Sequence, residues 1–156
     1  MKENHVMNAP ANRSSLMTVL SWAVRLAAVA LFLWPGAIPK LISDPYAIQT
    51  FETLGVEPWG RYFTAVAELT AAVLLLLPRT AAWGGVFGAM VMVGAIGSHL
   101  TKLGVVPEYV IDGETVQNPL LFWLAVVLLA LCAATVVLHR RQLPIINGRS
   151  STTRET

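Results

Sequence analysis

Arg25 and Glu68 each lie inside a long apolar run of this 156-residue chain, a setting in which an ionised side chain is costly unless it is paired or has chemistry to perform. Arg25 is nine residues from the start of its run at Leu16, and Glu68 is nine residues from the end of its run at Leu77. At about 1.5 Å of rise per helical residue both stand roughly 13 to 14 Å from one membrane face, so the spacing predicts a buried Arg25–Glu68 ion pair. The positions three and four away from Glu68 are Thr64, Ala65, Ala71 and Ala72, a small, slightly polar stripe suited to the inside of a bundle. Those around Arg25 are Ser21, Trp22, Ala28 and Val29. Such a pair either fixes helix register, so that breaking it strands a charge, or handles protons, with Glu68 as the titrating group.

A second polar tier lies nearer the opposite face. His99 is eighteen residues into its run and Arg61 sixteen residues from the far end of its own, depths of about 27 and 24 Å. Lys40 follows the first run and Lys102 stands three residues beyond His99. Lys40, Arg61, His99 and Lys102 are therefore a candidate set of donors at one mouth, with His99 and Glu68 the candidates for proton transfer. The competing reading is that these long basic chains simply snorkel to the interface.

Other chemistry lacks its residues. His5 and His139 fall in the expected polar tails, which argues against a haem held between two histidines, and no H-x-x-x-H, C-x-x-C or carboxylate-rich pattern indicates a metal. Serine-nucleophile and phosphate-loop patterns are absent. The single cysteine, Cys132, rules out a dithiol relay within one chain and sits in an apolar run as a packing residue. The eleven basic residues form no patch, so nucleic acid is not an expected partner.

Of all the residues, 55% are hydrophobic and 13% charged, against about 25% charged in a soluble domain. Runs over residues 16–38, 60–77, 81–100 and 120–138 are each long enough for a hydrocarbon core of roughly 30 Å. They lack the alternation of barrel strands, and backbone polar groups in lipid must be satisfied within the segment. The expected fold is all-α: a four-helix membrane bundle over residues 16–141, flanked by polar cytoplasmic tails at 1–15 and 142–156. Arg25 and the Trp34-Pro35-Gly36 ending argue against a cleaved signal peptide in the first run.

With both termini inside, Lys2, Arg13, Arg79, Arg140, Arg141, Arg149 and Arg154 fall on the cytoplasmic side, against Lys40, Arg61 and Lys102 outside. Seven against three predicts an N-in, C-in orientation. Trp34, Trp59, Tyr62, Tyr109 and Trp123 gather near the outer boundary as an aromatic belt would.

The connections differ. Pro78-Arg79-Thr80 is a tight turn that makes its flanking helices antiparallel neighbours. In the first outer loop Ala47, Ile48, Phe51 and Leu54 recur at helical spacing after Pro45, and Gly55 stops the pattern, which predicts a short helix lying on the outer interface. In the second, Asp112-Gly113 between β-prone residues signals a hairpin. The third helix carries Gly84, Gly85, Gly88, Gly94 and Gly97, small residues that let helix backbones approach. Packing within the chain is the favoured use of that face, a homo-oligomer interface the alternative.

The order of landmarks resembles the DoxX family of small bacterial membrane proteins: Arg25, Gly36 before Lys40-Leu41, Phe51 with Leu54-Gly55, Glu68-Leu69, Leu77-Pro78, and Gly94-Ala95-Ile96-Gly97-Ser98-His99-Leu100-Thr101-Lys102-Leu103. The resemblance covers about residues 16–141 and implies a bacterial cytoplasmic (inner) membrane location. Some relatives are subunits linked to thiosulfate:quinone oxidoreduction and work with a second subunit; others are associated with oxidative-stress defence. What this implies here is a quinone-linked membrane subunit with a redox partner, in which His99 with Lys40 or Lys102 donates to quinone oxygens and Glu68 exchanges protons. The alternative is a non-catalytic assembly partner or small permeation module.

Overall fold

The computed structural model describes residues 11–143. Helix α1 (Ala11–Leu31) runs on through a π-helical segment, Phe32–Ala37, into α2 (Ile38–Leu41). After the short helix α3 (Pro45–Leu54) come α4 (Trp59–Leu76), α5 (Ala81–Ser98) with a π-helical end at His99–Leu103, the strands β1 (Glu108–Ile111) and β2 (Glu114–Gln117), and α6 (Leu120–Leu138). Four stretches are long and apolar enough to cross a membrane: Ser15–Leu41, Trp59–Leu76, Ala81–Leu103 and Leu120–Leu138. The chain is thus a mostly helical, multi-pass membrane protein, with a two-stranded hairpin added to the expected helices. The polar tails expected at 1–15 and 142–156 lie largely outside the described residues; within them α1 already begins at Ala11, and Leu143 is buried.

The first span ends three residues beyond the expected limit at Ile38, and Pro35 inside it does not break it. Proline has no N–H and its ring crowds the carbonyl four residues back; a wider π turn absorbs both problems. Here the N–H of Ile38 reaches the Leu33 carbonyl, five residues back. Lys40, expected in a loop, is therefore carried on the helix.

The bundle is a ring in which α1 packs on α4 and α6, and α5 packs on the same two helices. Its core is small and apolar: Ala28, Phe32, Ala71, Ala72, Leu75 and Cys132 are buried within it. Large apolar side chains cover the outside, Trp34, Phe63 and Leu100 among them, as a lipid-facing surface requires and a water-facing one does not tolerate. Of the aromatic belt residues, Trp34, Trp59, Tyr62 and Trp123 are exposed, but Tyr109 is buried.

Glycines fix the closest helix contacts. A Cβ on Gly84 would lie 2.7 Å from the Leu75 nitrogen, and one on Gly85 would lie 2.9 Å from the Cys132 carbonyl oxygen. A Cβ on Gly88 would meet Phe32 and Cys132 side-chain atoms at 2.8 and 2.9 Å. These three close the contacts of α5 with α4, α6 and the π-helical segment within one chain, whereas Gly94 and Gly97 face open space. Gly84→Ala is therefore expected to destabilise by about 1–3 kcal/mol through overpacking, and Gly94→Ala to be neutral or stabilising by up to about 1 kcal/mol through helix propensity. Unfolding of both variants by SDS titration in mild detergent checks the contrast; equal effects contradict it.

At the end of the bundle away from the termini, the hairpin docks on α3. Asp112 (φ 53°) and Gly113 (φ 85°) form the two-residue turn, as positive φ at both positions of a type I′ turn requires. The Gln49 side chain pairs with the Val110 backbone like a strand rung, donating to its carbonyl at 2.6 Å and accepting from its N–H at 2.8 Å. Tyr109 meets Tyr46 edge-on at 5.0 Å. Burial pushes the Tyr109 phenol above its ordinary pKa; the Thr50 proton goes to the Tyr46 carbonyl, so Tyr109 is the donor to the Thr50 oxygen at 3.2 Å. Asp44 caps α3 through the Tyr46 N–H, and Gly55 (φ 78°) ends it.

Candidate functional site

The expected Arg25–Glu68 ion pair is not formed. Arg25 is buried, but its Nε donates to the Leu75 carbonyl at 2.6 Å and its Nη2 to the Leu76 carbonyl at 2.8 Å. Its guanidinium also stacks 4.2 Å from the centre of the Trp22 ring. The last carbonyls of a helix have no partner within it, and here they are supplied from outside. Arg25 serves Leu75 and Leu76, the Thr80 hydroxyl serves Leu74, and the Thr80 N–H serves Leu77. Arg25 is a cap for α4. A cation at a helix C-terminus also opposes the helix dipole favourably.

Glu68 pairs instead with Lys40. The Lys40 ammonium lies 3.0 and 2.9 Å from the two Glu68 carboxylate oxygens and donates to the Gly36 carbonyl at 3.0 Å. Glu68 projects from the face of α4 that buries Ala65, Ala71 and Ala72, as its stripe of small neighbours predicts. Gly36 makes room for it: a Cβ there would lie 3.3 Å from the carboxylate. Gly36 is thus level with Glu68, and Arg25 lies eleven residues lower, about 16 Å along the helix. The equal-depth estimate failed because Leu16 is not level with Leu77; α1 starts earlier and continues past Pro35.

The four donors of the second tier do not converge. Arg61 is buried, with its Nε 2.8 and 3.0 Å from the Glu57 carboxylate oxygens; its Nη1 donates to the Lys40 carbonyl and, at 3.2 Å, to Ser43 Oγ. It thereby anchors the backbone that carries Lys40. His99 Nδ1 faces the Gly104 carbonyl at 2.9 Å, so that nitrogen carries the proton, and the ring packs edge-on against Phe122. Lys102 donates to the Leu54 carbonyl at 3.1 Å and ties the end of α5 to the end of α3. His99, Arg61 and Lys102 hold the cap of the bundle together, and none of them lines the cavity beneath it.

That cavity, about 520 Å³, is lined by α4, α5, α6, the π-helical segment and α3. Its wall is mainly apolar. Among its charged lining residues, Asp44 is engaged as the cap of α3, which leaves the Lys40–Glu68 pair as the charged group facing the space. The hydroxyls of Thr64 and Ser98, also in the wall, turn back to the Gly60 and Gly94 carbonyls. The ammonium has an acceptor for each of its three N–H groups, the two Glu68 oxygens and the Gly36 carbonyl, so a ligand oxygen would take over one of these bonds.

Sequence reasoning named Lys40 and Glu68 but not their contact. The signal for it is the pairing of Gly36 with Lys40 one helical turn later, a small residue beside a long cation, opposite a carboxylate set in its own stripe of small residues. No curated protein and no solved structure matches the chain. A family model described as the DoxX-like family matches residues 24–135, a stretch that contains Arg25, Gly36, Lys40, Glu68 and His99. The chain belongs to the DoxX-like family.

Proposed function

We propose that the cavity receives the head group of a quinone and that the chain acts as the membrane subunit of a quinone-linked redox system, with electrons provided by a partner subunit. The observation that carries this reading is an ion pair in a mainly apolar chamber: Lys40–Glu68 in the wall of a cavity of about 520 Å³. Such a chamber, apolar with a few convergent polar groups, is the usual form of a small-molecule site. A bound quinone would supply two carbonyl acceptors and, on reduction, take up two protons with its two electrons. An N–H of Lys40, released from one Glu68 oxygen, would meet one carbonyl oxygen. Of the two protons, one would pass from Lys40, whose partial exposure lets it recover the proton from water, and one would come from water to the second oxygen, while the Glu68 carboxylate holds the ammonium in place. In this reading the hairpin end is the outer face of a bacterial cytoplasmic membrane, both termini are inside, and α3 lies at the interface; the seven-to-three distribution of basic residues supports that orientation.

Titration of the purified protein in mild detergent with a decyl-tailed benzoquinone tests the site. The wild type is expected to bind, and the Lys40→Met/Glu68→Gln double variant, which strands no charge, to bind at least about tenfold more weakly, the loss of one charged hydrogen bond. Equal affinity removes the pair from the site. Absence of binding to the wild type favours the non-catalytic assembly role.

A further inference from the structure

The seam between α4 and α5 is closed at one end and open at the other. Leu74, Ala67 and Phe63 follow one another along one side of α4, seven and four residues apart, and Gly84, Val91 and Ser98 follow at seven-residue spacing along α5. At the end near the Pro78 turn the backbones touch, since a Cβ on Gly84 would overlap atoms of both Leu74 and Leu75. Further along, the same sides of both helices line the cavity: Ala67, Thr64 and Phe63 on α4, Val91, Gly94 and Ser98 on α5. Phe63 and Met90, both lining residues, are 71% and 59% exposed on the outside of the bundle. Gly94 lines the cavity, is exposed, and has no atom within 4 Å of where its Cβ would stand. Residues that belong both to the chamber wall and to the outer surface mark a mouth. Above it, Ala47, Thr50, Phe51 and Leu54 of α3 roof the chamber, fastened by Lys102 on Leu54.

From this we infer that the cavity opens sideways into the bilayer between α4 and α5, and that this portal holds the hydrocarbon tail of the ligand whose head group sits at Lys40–Glu68. The inference rests on the head-group reading above and adds the route and the ligand class: a membrane-borne amphiphile that enters from lipid, in place of a water-soluble molecule entering past α3. A portal at this level lets the tail stay in hydrocarbon while the head reaches the ion pair.

The experiment compares one benzoquinone head group bearing a decyl tail with the same head group bearing methyl alone, on the protein in lipid nanodiscs. Gly94→Leu fills the mouth without touching Lys40 or Glu68. It is expected to weaken the decyl compound by about tenfold, the scale of an overpacking clash, and to leave the methyl compound unchanged. Gly97→Leu, also in open space but outside the cavity wall, is expected to change neither. If Gly94→Leu weakens both compounds equally, or neither, the tail does not occupy this portal.

A second measurement separates the portal from the quinone. In Gly94→Cys a fluorophore attaches at residue 94, because Cys132 is fully buried, and a doxyl-labelled stearic acid in the bilayer is expected to quench it. The decyl quinone should relieve that quenching as it displaces the lipid chain. Absence of quenching overturns the opening itself. Quenching that quinone binding leaves unaltered overturns the tail assignment. Quenching with no quinone bound by any of the proteins overturns the quinone reading and leaves the lateral opening standing.

Discussion

Lys40→Met is expected to destabilise the protein by about 3–5 kcal/mol at neutral pH, the cost of leaving a buried carboxylate without its partner. Glu68 is nearly inaccessible and sits in mid-span with small apolar neighbours, and its short side chain cannot swing to the interface. Lys40 is one residue from the end of α2 and retains partial exposure. When Glu68 is replaced by glutamine, the lysine stem can swing toward the interface, and the expected loss falls to about 1–2 kcal/mol. The two ends of one ion pair therefore have unequal costs, and Lys40→Met/Glu68→Gln should recover most of the loss seen in Lys40→Met. SDS-titrated unfolding in mild detergent measures all three. Equal losses for the two single variants contradict the geometry.

Arg25→Met is the second large effect, expected at about 2–4 kcal/mol because the carbonyls of Leu75 and Leu76 lose their buried donor. Arg25→Lys should recover only part, since an ammonium does not reproduce the planar fork that meets two carbonyls from one group. The two basic residues then separate cleanly in double-mutant cycles. Arg25→Met combined with Glu68→Gln should be additive within about 0.5 kcal/mol, as for distant sites. Lys40→Met combined with Glu68→Gln should depart from additivity by more than about 1 kcal/mol. Coupling between Arg25 and Glu68 of that size would restore the pairing expected from depth alone.

Most of the architecture is legible in the chain. The span at residues 120–138 matches α6 (Leu120–Leu138), the Ala47, Ile48, Phe51 and Leu54 spacing becomes α3, and Asp112-Gly113 becomes the hairpin turn. What misleads is the end of the first span. An expected span ending at Ile38 leaves Lys40 in a loop; with Pro35 accommodated by a π turn and the helix carried on to Leu41, Gly36 admits the Glu68 carboxylate and Lys40 reaches it. Residue counting gives depth only when both rulers share an origin, and here they do not.

The second tier fails for a different reason. Arg61, His99 and Lys102 stand at similar heights, but height does not say where a side chain turns. Each finds a local acceptor at a helix or loop end, at Lys40, Gly104 and Leu54 respectively. Backbone carbonyls left open at helix ends compete for donors, and no residue pattern in the sequence displays them. The contact of Gln49 with the Val110 backbone is hidden for the same reason, and so is the cavity, which depends on how far α4 and α5 diverge beyond Gly84.

The infrared spectrum of a bound benzoquinone labelled with ¹³C at its carbonyls tests the central claim most directly, because a carbonyl stretch moves down when its oxygen accepts a strong hydrogen bond. The account predicts one carbonyl band strongly shifted down in the wild type, from the Lys40 ammonium, and that strong shift lost in Lys40→Met/Glu68→Gln, where only a neutral amide remains. Two unshifted bands for quinone bound to the wild type, or the same shift in the double variant, would contradict it.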